Sequence, residues 1–166
     1  MKSIYLCGFM GCGKSLIGKH TAALLDMPFI DLDCYIASSE GMTISEIFAS
    51  KGESHFRDLE SAYIGKLAGS SAVIATGGGA IVNPNNAALA RQNGVVIFLD
   101  VDFETCYNRI KGDATRPLVQ ANTKAQLQKL YLDRKPAYMS NCDYSVNAND
   151  DPLAVAHRIK TYINSN

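Results

Sequence analysis

Short, nearly unbroken apolar runs alternate with longer amphipathic ones along the whole chain. The runs at Ser3–Cys7, Ala72–Ala75 and Val95–Leu99 lack a polar/apolar alternation, as expected of strands covered by helices on both faces. Phe29–Asp31 and Tyr144–Val146 bring the strand candidates to five. Helix signals fill the gaps. Lys14–Leu25 begins after glycines and ends before Pro28, while Thr43 and Glu46 form a capping box for Ile44–Lys51, stopped by Gly52. Phe56, Leu59, Tyr63 and Leu67 recur at helical spacing and put one buried stripe on a helix from Glu53 to Ala68. Further helices are predicted over Pro84–Asn93, over Phe103–Lys111 behind Asp102, from Thr123 to about Asn141, and from Asp151-Pro152 onward. Strands in alternation with helices predict βαβ units around a central parallel sheet. No repeat or low-complexity linker interrupts the pattern. The polar stretch at 112–122, with one proline, reads as a mobile loop of lid length.

A chain of 166 residues, 47% hydrophobic, fits a single domain that buries ~70% of the surface of its unfolded chain. The 16 basic and 16 acidic residues cancel. That balance argues against holding nucleic acid or an anionic membrane by bulk electrostatics, so any bound anion must be held locally. The five cysteines are odd in number and form no C-x-x-C pair, which leaves a disulfide framework or zinc site without support and favours a reducing compartment. The N-terminal apolar run is too short for a signal peptide, and no run approaches the ~20 residues that cross a bilayer. A cytoplasmic protein with no membrane contact is expected. No long apolar stripe demands a partner, so a monomer is expected too.

Against this background the segment after the first strand changes the picture. Gly8-Phe9-Met10-Gly11-Cys12-Gly13-Lys14-Ser15 matches G-x-x-x-x-G-K-Ser/Thr and opens a helix. In such a loop, backbone N–H groups and the positive helix end surround phosphates, the lysine supplies a point charge, and the hydroxyl can ligate Mg2+. Cys12 inside it reads either as a reactive thiol activated by amide dipoles and Lys14 or, preferably, as a small filler.

The second strand ends in Asp31-Leu32-Asp33, at the edge of an open α/β sheet where ligands bind. One carboxylate there can serve a Mg2+ shell and the other can take a proton from an attacking hydroxyl. Taken alone, a turn followed by an Asp N-cap would explain them. The third strand runs into Thr76-Gly77-Gly78-Gly79. Backbone pressed against a substrate would account for three glycines, with a flexible hinge as the competing reading. Arg57, Arg116 and Arg134 stand near these segments and suit carboxylate or phosphate capture, though spacing alone does not choose among them. Pro136 is expected to break or kink the helix that carries Arg134. The three histidines show no triad or metal spacing and read as structural.

Taken in order, these segments resemble the shikimate kinase family, of the nucleoside monophosphate kinase-like P-loop fold. The resemblance rests on Gly8-Phe9-Met10-Gly11-x-Gly13-Lys14-Ser15, Asp31-x-Asp33, Phe56-Arg57-x-x-Glu60, Gly77-Gly78-Gly79, Arg116-Pro117-Leu118 and Arg134-x-Pro136-x-Tyr138. It implies a three-layer α/β/α domain over 1–166 with a five-stranded parallel sheet in the order 2-3-1-4-5, substrate-binding helices at about 33–61 and a mobile lid at about 112–123. The implied activity is transfer of the ATP γ-phosphoryl group to the 3-hydroxyl of shikimate, towards chorismate and aromatic amino acids. Lys14 and Arg116 would stabilise the transferring group, and Asp33 would act as base or orienter and hold the substrate hydroxyls. Ser15 and Asp31 would serve Mg2+. Gly11, Cys12, Gly13, Lys14, Ser15, Leu16, Arg109 and Arg116 would bind the nucleotide, Arg109 against adenine. Arg57, Arg134, Gly78 and Gly79 would hold shikimate, with Glu60 supporting Arg57. Asn149–Pro152 weakly resembles the adenine-side loop. Leu16 replaces a frequent Ser or Thr and Val119 a frequent Leu. The alternatives are a gluconate kinase-like enzyme and an ATP-binding regulatory module that transfers nothing.

Overall fold

A computed structural model describes residues 2–166. Its elements are β1 (Ser3–Cys7), α1 (Lys14–Leu25), β2 (Phe29–Asp31), α2 (Leu32–Glu40), α3 (Ile44–Lys66), β3 (Val73–Ala75), a 3-10 turn (Ala80–Val82), α4 (Pro84–Asn93), β4 (Gly94–Asp100), α5 (Phe103–Ile110), α6 (Pro117–Ala121), α7 (Lys124–Asn141), β5 (Tyr144–Asn147) and α8 (Pro152–Ser165). The five strands form one parallel sheet in the order β2-β3-β1-β4-β5. Ile4, Leu6, Ile74, Val96 and Ile97 are all at most 1% exposed, which is why the central strands carry apolar residues on both faces. α1 and α8 pack side by side as one layer, and α4 packs against α3 and α7 as the other. Parallel strands send all their carboxyl ends to one edge, so the loops after β1, β2 and β3 meet there. Among the described residues no helix is long and apolar enough to cross a membrane.

Four local features depart from the pattern read along the chain. α2 follows β2 with no intervening loop: Asp31 is the last strand residue and also the N-cap, its Oδ1 accepting from the Cys34 N–H at 3.2 Å. Leu32 and Ile36, four apart and fully buried, anchor this helix, and Gly41 ends it at φ 65°. At Gly52, φ 83° and ψ 168° break α3 into the two helices expected from the sequence, but without a separating loop. The polar stretch at 112–122 contains the short helix α6, started by Pro117. Finally, α7 continues through Pro136. The ring removes the N–H that would bond to the carbonyl of Leu132, and Leu132 is 61% exposed, so water can take that carbonyl instead.

Candidate active site

β1 delivers the phosphate loop. Gly11 has φ 82°, and a Cβ there would lie 2.7 Å from the Cys106 carbonyl oxygen, so only glycine fits. Gly13 N-caps α1, so the positive end of that helix points into the loop. The Lys14 ammonium lies in the hollow of its own loop, donating to the Gly8 and Phe9 carbonyls at 2.8 and 3.0 Å. Ser15 Oγ donates to Asp31 Oδ2 at 2.6 Å, tying α1 to the end of β2. Arg109, on α5, donates to the Gly11 carbonyl at 2.9 Å and covers the loop. Cys12 is 1% exposed, which fits the filler reading and denies reagents access. Leu16 is exposed.

Beside the loop lies a cavity of about 590 Å³ lined by Asp31, Asp33, Arg57, Glu60, Gly77–Gly79, Arg116 and Arg134, with Met10, Phe48 and Phe56 among its apolar walls. Glu60 is 1% exposed, and its Oε2 accepts from Arg57 Nη1 at 2.6 Å. Glu53 accepts from the other terminal nitrogen of Arg57 at 3.0 Å. The guanidinium is thereby fixed from two turns of one helix. Burial raises the Glu60 carboxyl to about 6, with the Arg57 charge opposing part of the rise. Burial also raises Asp33, helped by the Asp31 charge and opposed by Lys14, Arg116 and Arg57. Asp33 Oδ1, Glu60 Oε1 and Arg134 Nη1 are buried with no hydrogen-bond partner among the described residues. A carboxylate of raised proton affinity with an open lone pair is suited to accept a proton from a bound hydroxyl.

The glycine turn explains how these groups approach so closely. None of the three glycines has a left-handed φ; what they lack is bulk. A Cβ on Gly77 would lie 2.5 Å from Glu60 Oε1 and 2.9 Å from Asp33 Oδ1, and one on Gly79 would lie 2.5 Å from Arg57 Nη1. One on Gly78 would meet the flexible Met10 side chain at 3.3 Å and Arg134 Nη1 at 3.5 Å. Two of the three glycines therefore make room for charged side chains of the site, a reason distinct from both the substrate contact and the hinge read along the chain. The buried Tyr138 hydroxyl donates to the Gly78 carbonyl and pins the turn to α7.

Residues 114–118 line the same cavity. Arg116 N-caps α6 and its Nε donates to Asp113 Oδ2 at 3.0 Å. Ser45, at the start of α3, meets the Thr115 carbonyl at 3.4 Å. Val119 packs into the core at 9% exposure.

The structure thus brings Asp31, Asp33, Arg57, Gly78, Gly79, Arg116 and Arg134 to one cavity. Gly11, Cys12, Gly13, Lys14, Ser15 and Leu16 belong to the adjoining loop and the start of α1, Arg109 covers that loop from α5, and the Ser15–Asp31 bond joins the two groups. In the weakly matching segment, Asn149 accepts from the Asp102 N–H at 3.2 Å and Asp151 caps α8. Three contributors were given no role in the sequence reading: Glu53, and the Tyr138 hydroxyl and Met10, which stood within motifs only. Glu53 was legible as an i,i+4 partner of Arg57; the contacts of the other two with Gly78 are tertiary and had no local signal.

A model of the family described as Shikimate kinase matches residues 10–164. A shikimate kinase of Persephonella marina is 45% identical over 139 residues, 83% of this chain and 84% of its own. The structure of shikimate kinase from Acinetobacter baumannii in complex with shikimate superposes with a TM-score of 0.94 at 36% identity, covering 99% of this chain and 94% of that one. That of shikimate kinase from Aquifex aeolicus gives 0.87 at 33% identity, covering 98% of this chain and 96% of that one.

Proposed function

Because the chain belongs to the shikimate kinase family and is an enzyme that phosphorylates shikimate with ATP as co-substrate, we propose the following division of labour among its residues. The observation that carries it is the single cavity in which a partly buried acid, Asp33, with its Oδ1 buried, shares the lining with the guanidinium groups of Arg57, Arg116 and Arg134 beside a phosphate loop. Arg57 and Arg134 hold the shikimate carboxylate, and the Gly78–Gly79 backbone lies along the ring. Asp33 orients the 3-hydroxyl and accepts its proton as the oxygen forms a bond to the γ-phosphorus; the bond from that phosphorus to the departing ADP oxygen breaks. Lys14 moves its ammonium from the Gly8 and Phe9 carbonyls to phosphate oxygens, and Arg116 joins it in offsetting the charge of the transferring group. Arg109 and the loop from Gly11 to Leu16 hold the nucleotide.

Ser15 Oγ and Asp31 Oδ2, 2.6 Å apart at the loop, are hard oxygen donors. Among the described residues no cluster of three His, Cys, Asp or Glu side chains gathers as a cage. That donor set fits Mg2+, which takes one or two protein oxygens and keeps its other positions for water and phosphates. When bound, the ion would neutralise phosphate charge, with Ser15 and Asp31 holding it.

The same reading takes 1–166 as one domain acting as a monomer in the cytoplasm, with acceptor helices at about 33–61 and a lid at about 112–123 that closes over ATP. Five free thiols, three of them buried, support a reducing compartment. Coupled measurement of ADP release with shikimate, gluconate, AMP or no acceptor tests the assignment, and ADP release indifferent to shikimate would overturn it. Asp33→Asn, which keeps the shape and removes the proton acceptor, is expected to lose most of kcat with the fold intact. Wild-type turnover in that variant would remove Asp33 from its role.

A further inference from the structure

Asp113 does not line the acceptor cavity, yet every polar group it owns is used, its side chain and carbonyl inside the lid and its N–H on the end of α5. Its Oδ1 accepts from both the N–H and the hydroxyl of Thr115, at 2.9 and 2.6 Å. Its Oδ2 accepts from Arg116 Nε at 3.0 Å, and its carbonyl accepts from the Gln120 side chain at 3.0 Å. Its N–H donates to the Ile110 carbonyl at the end of α5. The Thr115 hydrogen bonds lower the Asp113 carboxyl below the usual range and keep it charged.

We propose that Asp113 is a positioning residue for phosphoryl transfer: by holding Arg116 through Nε alone, it sets the guanidinium plane and leaves both terminal nitrogens free for the transferring group. Among the described residues no hydrogen bond engages either terminal nitrogen, and Arg116 lines the cavity with Asp33. The pair is 40% and 32% exposed, so its contribution to fold stability is small. Its effect falls on the rotamers of a long side chain whose planar fork must meet phosphate oxygens in one orientation. The carboxylate is itself held by Thr115, so arginine and loop are fixed as one piece.

The inference rests on Arg116 acting on the phosphoryl group, and the experiment separates the two. Asp113→Asn retains an acceptor for Thr115 but turns an amide donor toward the Nε–H donor. Steady-state kinetics of Asp113→Asn, Asp113→Glu, Arg116→Ala and the Asp113→Asn/Arg116→Ala pair are compared, with melting temperature as control. For Asp113→Asn, kcat is expected to fall roughly tenfold with the shikimate KM little changed. Asp113→Glu, which keeps the charge, should recover part of the loss. The double variant should be no slower than Arg116→Ala alone. Independent, multiplying losses, or wild-type kcat in Asp113→Asn beside a damaged Arg116→Ala, would overturn the role of Asp113. Wild-type kcat in Arg116→Ala would instead overturn the reading of Arg116, and the proposal with it.

Discussion

Gly77, Gly78 and Gly79 form a three-step test of how the site is packed, because the same added methyl meets a different group at each position. At Gly79 the backbone lies at φ −99° and ψ −13°, which alanine adopts without strain, so the perturbation is purely one of space. The new carbon would lie 2.5, 2.6 and 2.9 Å from Arg57 Nη1, Cζ and Nη2. Ordinary contact begins near ~3.5 Å, so the guanidinium must retreat by about 1 Å. Its bond to the buried Glu60, 2.6 Å long, cannot survive that retreat intact. A misplacement of about 1 Å costs on the order of 100-fold, or about 2.7 kcal/mol, which also matches the worth of a charged hydrogen bond. Arg57 is assigned to the substrate carboxylate, remote from the reacting atoms, so the loss should appear in the shikimate KM with kcat nearly unchanged. Gly77→Ala presses on Asp33 and Glu60 instead and should lower kcat. Gly78→Ala meets a flexible methionine at 3.3 Å and Arg134 Nη1 at 3.5 Å, looser contacts than at Gly79, and should raise the shikimate KM less than Gly79→Ala does. The chain has no tryptophan, so titration calorimetry would report shikimate binding alongside the kinetics. Equal KM values for Gly78→Ala and Gly79→Ala would refute the packing argument.

Three further outcomes follow from the ionisable groups. With Glu60 at about 6 in the folded protein and 4.5 as its ordinary value, the native state holds this proton more tightly than the unfolded chain. Stability should therefore decline as pH rises through that interval and level off above it, and Glu60→Gln should flatten this slope in thermal melts. Below pH about 6 the neutral Glu60 releases its hold on Arg57, so the shikimate KM should rise on acidification in the wild type. An equal rise in Glu60→Gln would show that another group is responsible. Cys34 is exposed, lines the cavity, and has its thiol pushed up by burial and then by the Asp31 charge. Alkylation mapped by mass spectrometry should mark Cys34 slowly near neutrality, faster at higher pH, and less with shikimate present, while Cys12 stays unlabelled. Rapid modification of Cys12, or no protection of Cys34, would contradict the placement of these residues.

The sheet was legible because its signal is local. Five apolar runs bounded by glycines and caps mark strands whose ends shift by at most one residue in the structure. The phosphate loop was legible for the same reason, since its eight residues are contiguous. A helix near 33 was implied by the resemblance and by an Asp N-cap, but its start directly at the strand end was not legible, because Asp31 is both strand end and helix cap and leaves no turn residues between them. The continuation of α7 through Pro136 depends on exposure at Leu132, which composition does not state. The glycine turn was visible as a motif but not in its reason, because Asp33, Arg57 and Glu60 reach it from distant positions in the chain. Burial of Glu60 beside Arg57 is likewise a tertiary fact, and the raised Glu60 carboxyl follows from it.

The break at Gly52 has a consequence for how the cavity is assembled. An unbroken α3 would be a rod about 35 Å long, able to present only one line of residues to the cavity. Folded at Gly52, the same segment supplies Ile44, Ser45 and Phe48 from one arm and Phe56, Arg57 and Glu60 from the other. Two walls of the pocket are therefore neighbours in the chain, and α2 with Asp33 directly precedes them. Closing such a pocket spans short loops and costs little chain entropy. These two walls with α2 are in this sense a low-contact-order unit set on a sheet whose own pairings are long-range, so they can form early in folding rather than await the last strand.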